Sequence, residues 1–373
     1  MKKRAEIKVC HFSSAHSSED ERVFHEEAVS LSNNGFQVFY VVKGRSYKKN
    51  GVNIIGVNDE SHNRIGRIIS FSRKIYRKAL EIDADLYHFH DPELLPYGVK
   101  LAKRGKIVIF DSHENTVDQI NEKEWIPSFI RGILSFAFDK YQRYACKKFD
   151  CIISVSPHIC DYFRKFHGNV RMITNFPPFR EVDISNKDET VICYAGNLSD
   201  QWNHRKIIKA ISKIEGAKYL LMGRGTQSYI EELKALPGWD KVDFRGEVPH
   251  EEVPDLIAKA SIGMAVLSYN KNVGGKKGTL GNTKIYEEMM SGLPIICTDF
   301  DIWRSMVEKY DCGICVNPND DVEIEKAIRY LITHPGIART KGANGLRAVK
   351  EEYNWTSQEI KLLQIYDELL QII

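Results

Sequence analysis

The sequence predicts an α/β protein built from two successive doubly wound domains. Short runs rich in Val, Ile, Phe and Tyr alternate with longer amphipathic segments in both halves, which is typical of strands and helices in parallel sheets. The length of 373 residues exceeds that of one typical domain. Two adjacent prolines in Asn175 to Glu189, followed by polar residues, indicate a stiff linker between the halves. We therefore place the first domain at 1–178 and the second at 179–355.

Each half contains enough predicted strands for its own sheet. In the first half the predicted strands are IKVCHF, FQVFYVV, GVNIIGV, LYHFH and KIVIFDSH, with helices at Asp20 to Asn34 and Arg64 to Ile82. In the second half the predicted strands are TVICYAGNL, AKYLLMG, VDFRGEV, IGMAVL and PIICT, with helices at Arg205 to Ile214, Tyr229 to Ala235, Val253 to Lys259 and Asp321 to Thr333.

Composition narrows the class of protein. Hydrophobic residues make up 43% and charged residues 28% of the chain, which argues against disorder and coiled coil. A net charge of +3 does not indicate a nucleic-acid partner, and we expect none. No apolar run is long enough to span a bilayer, and the N-terminal segment lacks the apolar core of a signal peptide, so we expect a cytoplasmic protein. Eight scattered cysteines fit reduced thiols.

The segment NTKIYEEMMSGLP, Asn282 to Pro294, predicts a helix that begins as an anion site. Asn282 or Thr283 can cap the helix, and the free N–H groups of its first turn suit a phosphate. Lys284 and Glu287 are three residues apart, so a cation and a carboxylate lie on one helical face and suit phosphate plus sugar hydroxyls. An ordinary αβ junction with an exposed ion pair would explain the same residues.

Ligands of open parallel sheets bind at the carboxyl ends of the strands, and candidate residues cluster there. Gly196 follows one strand, and Arg205 with Lys206 lies shortly after it, where the two cations suit a diphosphate. A solvated basic helix start is the alternative. Gly223 begins a GRG turn, and the backbone from Arg245 onward could contact a base edge. A surface turn explains the last feature equally well.

Together, YAGNL, YLLMGRG, VDFRGEVPHEEV and TKIYEEMMSGLPIICTD resemble the retaining glycosyltransferases of family 4, most strongly from Val191 to Pro318. The resemblance implies the GT-B fold, with two Rossmann-like doubly wound domains facing each other across a cleft, and a C-terminal helix at 356–373 that crosses back to the first domain. It also implies transfer of a sugar from a nucleoside-diphosphate sugar, UDP being favoured, with no metal and no cofactor.

The resemblance assigns roles to individual donor-side residues. Glu287 matches the acidic residue that holds the ribose, and Lys284 matches the lysine of a KxxE variant. The sequence departs from the family at two positions. Asn197 stands where an arginine is usual after the first glycine, and Thr279 stands where a second, sugar-facing glutamate is usual. We expect Thr279 to offer a hydroxyl to the donor sugar instead.

The first half supplies a catalytic candidate and an acceptor side. His113 ends the strand KIVIFDSH, where the family places a histidine near the transferred sugar; a structural histidine is the alternative. The segment around Asp20 resembles the DxRxF variant of the family, so Arg22 and His16 are expected on the acceptor side, although a capped helix start would look the same. His90, in HFHD, is expected to line the acceptor side, with plain packing as the alternative. We expect no metal site there.

The acceptor is expected to be a saccharide or a lipid-linked saccharide. Two basic, aromatic segments, 64–78 and 125–149, fit an anionic membrane surface, and both also fit ordinary covering helices. Two other functions stay open on sequence alone, namely a nucleotide-sugar-binding subunit without catalysis and a GT-B sugar epimerase.

Overall fold

The computed structural model describes residues 3–58, 70–122, 127–270 and 273–372. Contacts divide the chain into two compact units, Met1–Asn175 with Gln358–Ile373 and Phe176–Ser357. Each unit has its own sheet and its own hydrophobic core. The expected α/β class with two doubly wound, Rossmann-like domains is confirmed.

The first unit is built on an eight-stranded sheet in the order β3-β4-β2-β1-β5-β6-β7-β8. Its strands are β1 (Lys8–Phe12), β2 (Gln37–Lys43), β3 (Tyr47–Lys49), β4 (Val52–Val57), β5 (Leu86–Phe89), β6 (Ile107–Ser112), β7 (Cys151–Ser154) and β8 (Val170–Met172). All pairings are parallel except that of β3 with β4.

Helices cover this sheet. They span Ser72–Ile82, Leu95–Ala102, Thr116–Glu122, Ser128–Cys146 and Pro157–Arg164, and a π-helical segment, Glu21–Ala28, continues into Val29–Asn33. Short 3-10 turns lie at Arg4–Glu6 and Pro92–Leu94. The last helix, Trp355–Leu370, returns the chain to the first unit, where its Tyr366 lies fully buried. Residues 64–69 and 125–126 of the predicted basic segments lie outside the described residues.

The second unit has a six-stranded, wholly parallel sheet in the order β11-β10-β9-β12-β13-β14. Its strands are β9 (Val191–Ala195), β10 (Lys218–Met222), β11 (Val242–Gly246), β12 (Ile262–Ala265), β13 (Ile295–Thr298) and β14 (Gly313–Val316). Its helices are His204–Ser212, Gln227–Lys234, Val253–Ile257, Thr283–Met290, Asp301–Tyr310, Asp321–Thr333 and Pro335–Glu351, with 3-10 turns at Asp200–Trp202 and Trp239–Lys241.

The central strands are continuous apolar runs because helices cover both faces of each sheet. All four residues of β12, of β13 and of β7 are buried. The strand order reverses next to β1 and β5 in the first unit and next to β9 and β12 in the second. Ligands of such sheets bind beyond the carboxyl ends of the strands at these reversals, so each unit has one favoured place for a site. Among the described helices, none is both long and apolar enough to span a bilayer.

Candidate functional site

A cleft of about 770 Å³ opens in the second unit beyond the carboxyl ends of β9 and β10. β9 borders the strand-order reversal, where a ligand site is expected. The lining residues come from the strand ends, the segment before β9, the loop and helix start after β11, and the start of the Thr283–Met290 helix: Arg180, Ala195, Gly196, Asn197, Met222, Gly223, Arg224, Glu247, Val248, Pro249, His250, Val253, Thr283, Lys284 and Glu287.

Two glycines let the strand ends approach one another at the floor of the cleft. Gly196 has a φ of +150° and Gly223 a φ of +137°, which other residues rarely adopt. A Cβ on Gly223 would lie 1.7 Å from the Gly196 carbonyl oxygen, and a Cβ on Gly196 would lie 1.8 Å from Lys284 Cε. Both positions therefore favour glycine, and the absence of a side chain at Gly196 leaves room for Lys284.

The Thr283–Met290 helix begins at the cleft without a side-chain cap. Asn282 occupies the cap position with extended backbone, and its side chain accepts no hydrogen bond from the first turn. The first N–H groups of the helix are thus left for another acceptor, and the helix dipole favours an anion there. Of the predicted capping residues, Thr283 lines the cleft and Asn282 does not.

Lys284 places a partly buried cation on the cleft wall. Burial lowers the pKa of its ammonium, while the charges of Glu287 and Glu288 oppose that change. Its Nζ lies 5.2 Å from the ring centroid of Trp202, a cation–π contact, and it makes no hydrogen bond or ion pair with any described residue. A desolvated cation in this position gains from an anionic ligand.

Two neighbouring glutamates on this helix have different surroundings. Glu287 lines the cleft one turn after Lys284, and its carboxylate makes no hydrogen bond within the described chain. Glu288 points inward and is 1% exposed, and a Cβ on Gly263 would lie 2.5 Å from its Oε2. Burial raises the pKa of Glu288 well above its usual range, and the charge of Glu287 adds to the rise.

Several residues expected on the donor side do not line this cleft. Arg205 donates from Nε and Nη2 to Glu232 at 2.6 and 2.7 Å and also pairs with Asp200. Lys206 Nζ donates to the Pro318 carbonyl at 2.6 Å. Arg245 is exposed and pairs with Asp243.

Thr279 lies in the loop before the Thr283–Met290 helix and is bonded within it. Its Oγ1 accepts from the Gly281 N–H at 3.0 Å, and its carbonyl accepts from Trp303 Nε1 at 2.7 Å. The structure does not bring Thr279 into the lining of the cleft.

The first unit has a polar cluster beyond β1, β5 and β6, which contains His113. His113 Nε2 lies 3.3 Å from Asp111 Oδ2 and 3.2 Å from His90 Nδ1, and its side chain is 19% exposed. Burial alone would raise the pKa of Asp111, but the Arg22 guanidinium and His113 hold it well below its usual range. Asp111 is therefore an anion beside the rings of His90 and His113.

The three acceptor-side candidates occupy different depths in this cluster. Arg22 is buried and fully engaged: it donates to Asp111 at 2.9 and 3.1 Å, to the Ile173 carbonyl at 3.0 Å and to Asn175 Oδ1 at 2.6 Å. His90 is also buried.

His16 is the partly open member of the three, with a hydrogen bond to Asp20 at 2.9 Å. Burial alone would lower the pKa of His16, but that bond and the charge of Asp91 raise it.

Deeper in the first unit lie His88, which belongs to the predicted HFHD segment, and three residues that the sequence did not single out. His11 and His88 are fully buried register partners on β1 and β5, and Tyr366 and Glu27 complete the group. Burial lowers the pKa of His11 and His88 well below the usual range, and burial raises that of Glu27 well above it. The alternation of side chains along β1 was the available signal, because it places His11 on the same face of the strand as buried Val9.

This buried group offers metal-ligand atoms but already holds a cation. Atoms of His11, Glu27, His88 and His90 lie within 4.8 Å of one another. However, Arg22 Nη2 lies 3.1 Å from Glu27 Oε1 and 2.9 Å from Asp111 Oδ2. The guanidinium thus supplies the positive charge that a metal ion would bring.

The two halves of the chain match two glycosyltransferase family models. Residues 21–176 match Glycosyltransferase Family 4, and residues 175–347 match Glycosyl transferases group 1. Among curated proteins, an uncharacterized glycosyltransferase, MJ1069 of Methanocaldococcus jannaschii, is 22% identical over 66% of this chain and 65% of its own length. A phosphatidyl-myo-inositol mannosyltransferase of Mycobacterium leprae is 23% identical over 41% of this chain and 38% of its own length. The matched region thus falls short of two thirds of either relative.

Solved structures share the fold over nearly the whole chain. Sucrose-phosphate synthase of Thermosynechococcus elongatus superposes with a TM-score of 0.74 at 17% identity, covering 98% of this chain and 100% of that one. HepE of Anabaena, in complex with UDP and glucose, superposes with a TM-score of 0.69 at 12% identity, covering 97% and 100%. In its fold and in these two adjoining matches, the chain is similar to GT-B glycosyltransferases of the family-4-like kind. The family 4 region occupies its first half, and the group 1 region occupies its second.

Proposed function

We propose that this protein transfers a sugar, with retention of anomeric configuration and without a metal, from a UDP-sugar to a saccharide or lipid-linked saccharide. The observation that carries the proposal is the convergence of an uncapped helix start, Lys284 and Glu287 on one cleft in the second unit. UDP is favoured over other nucleotides because the Anabaena protein of similar fold holds UDP.

In this proposal the diphosphate lies against the helix start. The N–H groups of the first turn and the backbone beside Gly196 donate to the phosphate oxygens, and Lys284 neutralises charge as the glycosidic bond breaks. Because Lys284 is partly buried and has no competing carboxylate within hydrogen-bond distance, its charge acts in a poorly screened environment. Arg205 and Lys206 would contribute only by leaving their present partners.

Glu287 is proposed to hold the ribose. Its carboxylate lies on the cleft wall one helical turn from Lys284, so a nucleotide with its diphosphate at the lysine places ribose hydroxyls near Oε1 and Oε2. The base is then proposed to lie toward the loop from Glu247 to His250, which also lines the cleft.

The chemical step proposed here is front-face attack. The acceptor hydroxyl forms its bond to the anomeric carbon on the side from which the diphosphate leaves, and its proton passes to a departing phosphate oxygen. No protein nucleophile is required, so the protein acts by positioning and by charge stabilisation. His113 is proposed to donate a hydrogen bond to the transferred sugar, and Thr279 to contact the same sugar through its hydroxyl.

The acceptor is proposed to be presented at an anionic membrane surface. On the Ser128–Cys146 helix, Phe129, Ile133 and Phe136 are 78%, 71% and 64% exposed, and their spacing places them on one stripe. Lys140 lies over the Phe136 ring, so a cation flanks the apolar stripe. An exposed apolar stripe beside basic residues suits insertion among anionic headgroups.

A ligand screen followed by a turnover assay tests the proposed function. Thermal unfolding is measured with nucleoside diphosphates, and the best nucleotide is then supplied as its sugar conjugates with saccharide and lipid-linked acceptors. We expect UDP to raise Tm, Glu287→Ala to abolish that rise, and Glu308→Ala, an exposed glutamate of the same unit, to preserve it. Donor binding without transfer or hydrolysis would instead support the binding-subunit function.

A further inference from the structure

An unbroken chain of hydrogen bonds runs from the core of the first unit to His113. Tyr366 Oη lies 2.8 Å from His88 Nδ1 and 3.1 Å from His11 Nε2. His11 Nδ1 lies 3.1 Å from His90 Nε2, and His90 Nδ1 lies 3.2 Å from His113 Nε2. His11 and His90 thus use both ring nitrogens, one toward each neighbour.

These contacts restrict the tautomers of every ring in the chain. A neutral imidazole has one N–H and one lone pair, so a ring that bonds through both nitrogens must donate at one and accept at the other. His11, His88 and His90 are neutral, since burial lowers the pKa of each, that of His90 to about 4. The proton position on one ring therefore fixes the proton position on the next. Only two arrangements give every contact in the chain one donor and one acceptor.

The end at His88 favours one of the two arrangements. His88 Nε2 is buried and has no hydrogen-bond partner in the described part of the chain. A buried unpaired N–H is rarer and costlier than a buried unpaired acceptor, so the His88 proton belongs on Nδ1. The same arrangement then places a proton on Nδ1 of His11 and of His90.

The two neighbouring carboxyl groups do not decide between the arrangements. Glu27 Oε2 lies 4.0 Å from Nδ1 of both His11 and His88, beyond hydrogen-bond distance. Asp111 Oδ2 lies 3.5 Å from His90 Nδ1 and 3.3 Å from His113 Nε2, so it can accept from a proton on either ring, and it already accepts two hydrogen bonds from Arg22. The choice therefore rests on the unpaired Nε2 of His88.

We propose that His88, Tyr366, His11 and His90 form a tautomeric relay that holds a proton on Nδ1 of His113 and a lone pair on its Nε2. His113 Nε2 is then the acceptor inside the protein, and Nδ1, which has no hydrogen-bond partner among the described residues, is left as an N–H for a ligand. His113 is thereby a hydrogen-bond donor to a sugar hydroxyl and not a general base. His11, His88, His90 and Tyr366 are positioning residues. The assignment to a sugar rests on the proposed function; the tautomer does not.

Nitrogen-15 NMR of the histidine-labelled full-length protein tests the relay directly. Two-bond and three-bond proton correlations distinguish a protonated ring nitrogen from an acceptor, and the His113 signal is identified by its loss in His113→Ala. We expect His113 of the wild-type protein at neutral pH to carry its proton on Nδ1. Tyr366→Phe removes one hydroxyl and breaks the relay, so His113 should shift toward the Nε2 tautomer. Tyr87→Phe, which also removes a fully buried hydroxyl of this unit, should leave it unchanged.

A second pair of variants does not depend on whether Tyr366→Phe folds. In His88→Asn the side-chain amide takes the place of Nδ1 and still donates to Tyr366, whereas in His88→Gln the amide lies near the place of Nε2. We expect the first variant to preserve the His113 tautomer and the second to lose it. With an active donor and acceptor, Tyr366→Phe should lower kcat by roughly fivefold, the effect of one buried hydrogen bond, with the donor KM unchanged.

Two results would overturn the relay. One is a His113 proton on Nε2 in the wild-type protein, or a tautomer that Tyr366→Phe and His88→Gln both leave unchanged. The other is a stoichiometric transition metal in the purified protein whose removal shifts the His11 and His90 signals, because these nitrogens would then be metal ligands. Absence of sugar transfer with an intact tautomer response would contradict the proposed function and leave the relay standing.

Discussion

The side chain of Lys284 crosses directly over the backbone of Gly196, so that a Cβ on the glycine would lie 1.8 Å from Lys284 Cε. The lysine end is flexible and can move away, but an alanine at this position would also have to adopt a φ of +150°, so Gly196→Ala should cost some stability as well as displace Lys284. We expect it to weaken UDP binding by roughly tenfold or more, the effect of displacing one charge-assisted hydrogen bond. Isothermal titration of UDP measures this.

Gly223→Ala provides the contrast in the same loop region. Its Cβ would lie 1.7 Å from the Gly196 carbonyl oxygen, a backbone atom that cannot move aside without disturbing β9 and β10. We expect a loss of several kcal/mol of stability, seen as a clear fall in Tm without ligand. Gly336→Ala, where a Cβ meets no atom within 4 Å, is the matched control. Equal Tm for Gly223→Ala and Gly336→Ala would contradict the description of the cleft floor.

Lys284 and Arg205 should differ sharply in their effect on the nucleotide. Lys284→Ala removes a partly buried cation from the cleft, so UDP affinity should fall by roughly 10- to 100-fold. Arg205→Ala removes an exposed ion pair with Glu232, so affinity should change by less than about threefold. Lys209→Ala, an exposed lysine of the same unit, controls for loss of net charge. A large effect of Arg205→Ala would show that this arginine leaves Glu232 to contact the donor.

Glu26 should make the stability of the protein fall as pH rises. Burial raises its pKa from 4.5 to about 8, with the charges of Glu21 and Asp20 adding to the rise and Arg22 opposing it. Between those two pKa values the folded state keeps a proton that the unfolded state has lost, so stability decreases with pH by up to about 1.4 kcal/mol per unit. The advantage of Glu26→Gln over the wild type should therefore grow between about pH 5 and pH 8.

Chemical denaturation at several pH values measures that difference. Glu81→Gln, at an exposed position on the Ser72–Ile82 helix, should run parallel to the wild type. The buried histidines act in the opposite direction at lower pH, since their folded-state pKa values are depressed and stability is lost as pH falls through their unfolded values. A constant difference between Glu26→Gln and the wild type would refute the raised pKa.

The exposed stripe on the Ser128–Cys146 helix should carry membrane binding. We expect the wild-type protein to float with liposomes that contain anionic lipid, and the double variant Phe129→Ser with Ile133→Ser to stay in the soluble fraction. Ile360→Ser, at an isolated position that is 55% exposed, should float like the wild type. Binding to neutral liposomes alone, or a concentration-dependent dimer in place of flotation, would contradict an anionic surface as the partner.

The fold class was readable from the sequence because buried parallel strands leave continuous apolar runs. Three strands of the first sheet were not predicted. β3 has the sequence YKK and β8 the sequence VRM, three residues each, too short and too polar to stand out. β7, with the sequence CIIS, is only four residues long and follows directly on a helical segment and a basic turn. β3 and β8 are the two edge strands and β7 lies next to β8; such short strands are stabilised by pairing with a neighbouring strand, which a local sequence pattern does not reveal.

The candidate sites were predictable only in part. Strand ends and a glycine-flanked helix start pointed to Gly196, Gly223, Lys284 and Glu287, and the structure gathers these at one cleft. The sequence could not predict which way a surface cation points, since the same residues surround Arg205 in sequence whether its side chain faces the cleft or pairs with Glu232. Local sequence patterns could not predict the relay, because it joins His11 to Tyr366, 355 residues away in the sequence.

The first unit is not a continuous stretch of chain: its last helical portion, beginning at Gln358, comes after the whole of the second unit. Tyr366 and Asp367, which bond to His88 and Arg4, leave the ribosome only after the whole of the second unit. The unit synthesised first is therefore the one that is completed last. During translation the second unit can finish its own sheet while the first still waits for its closing helix.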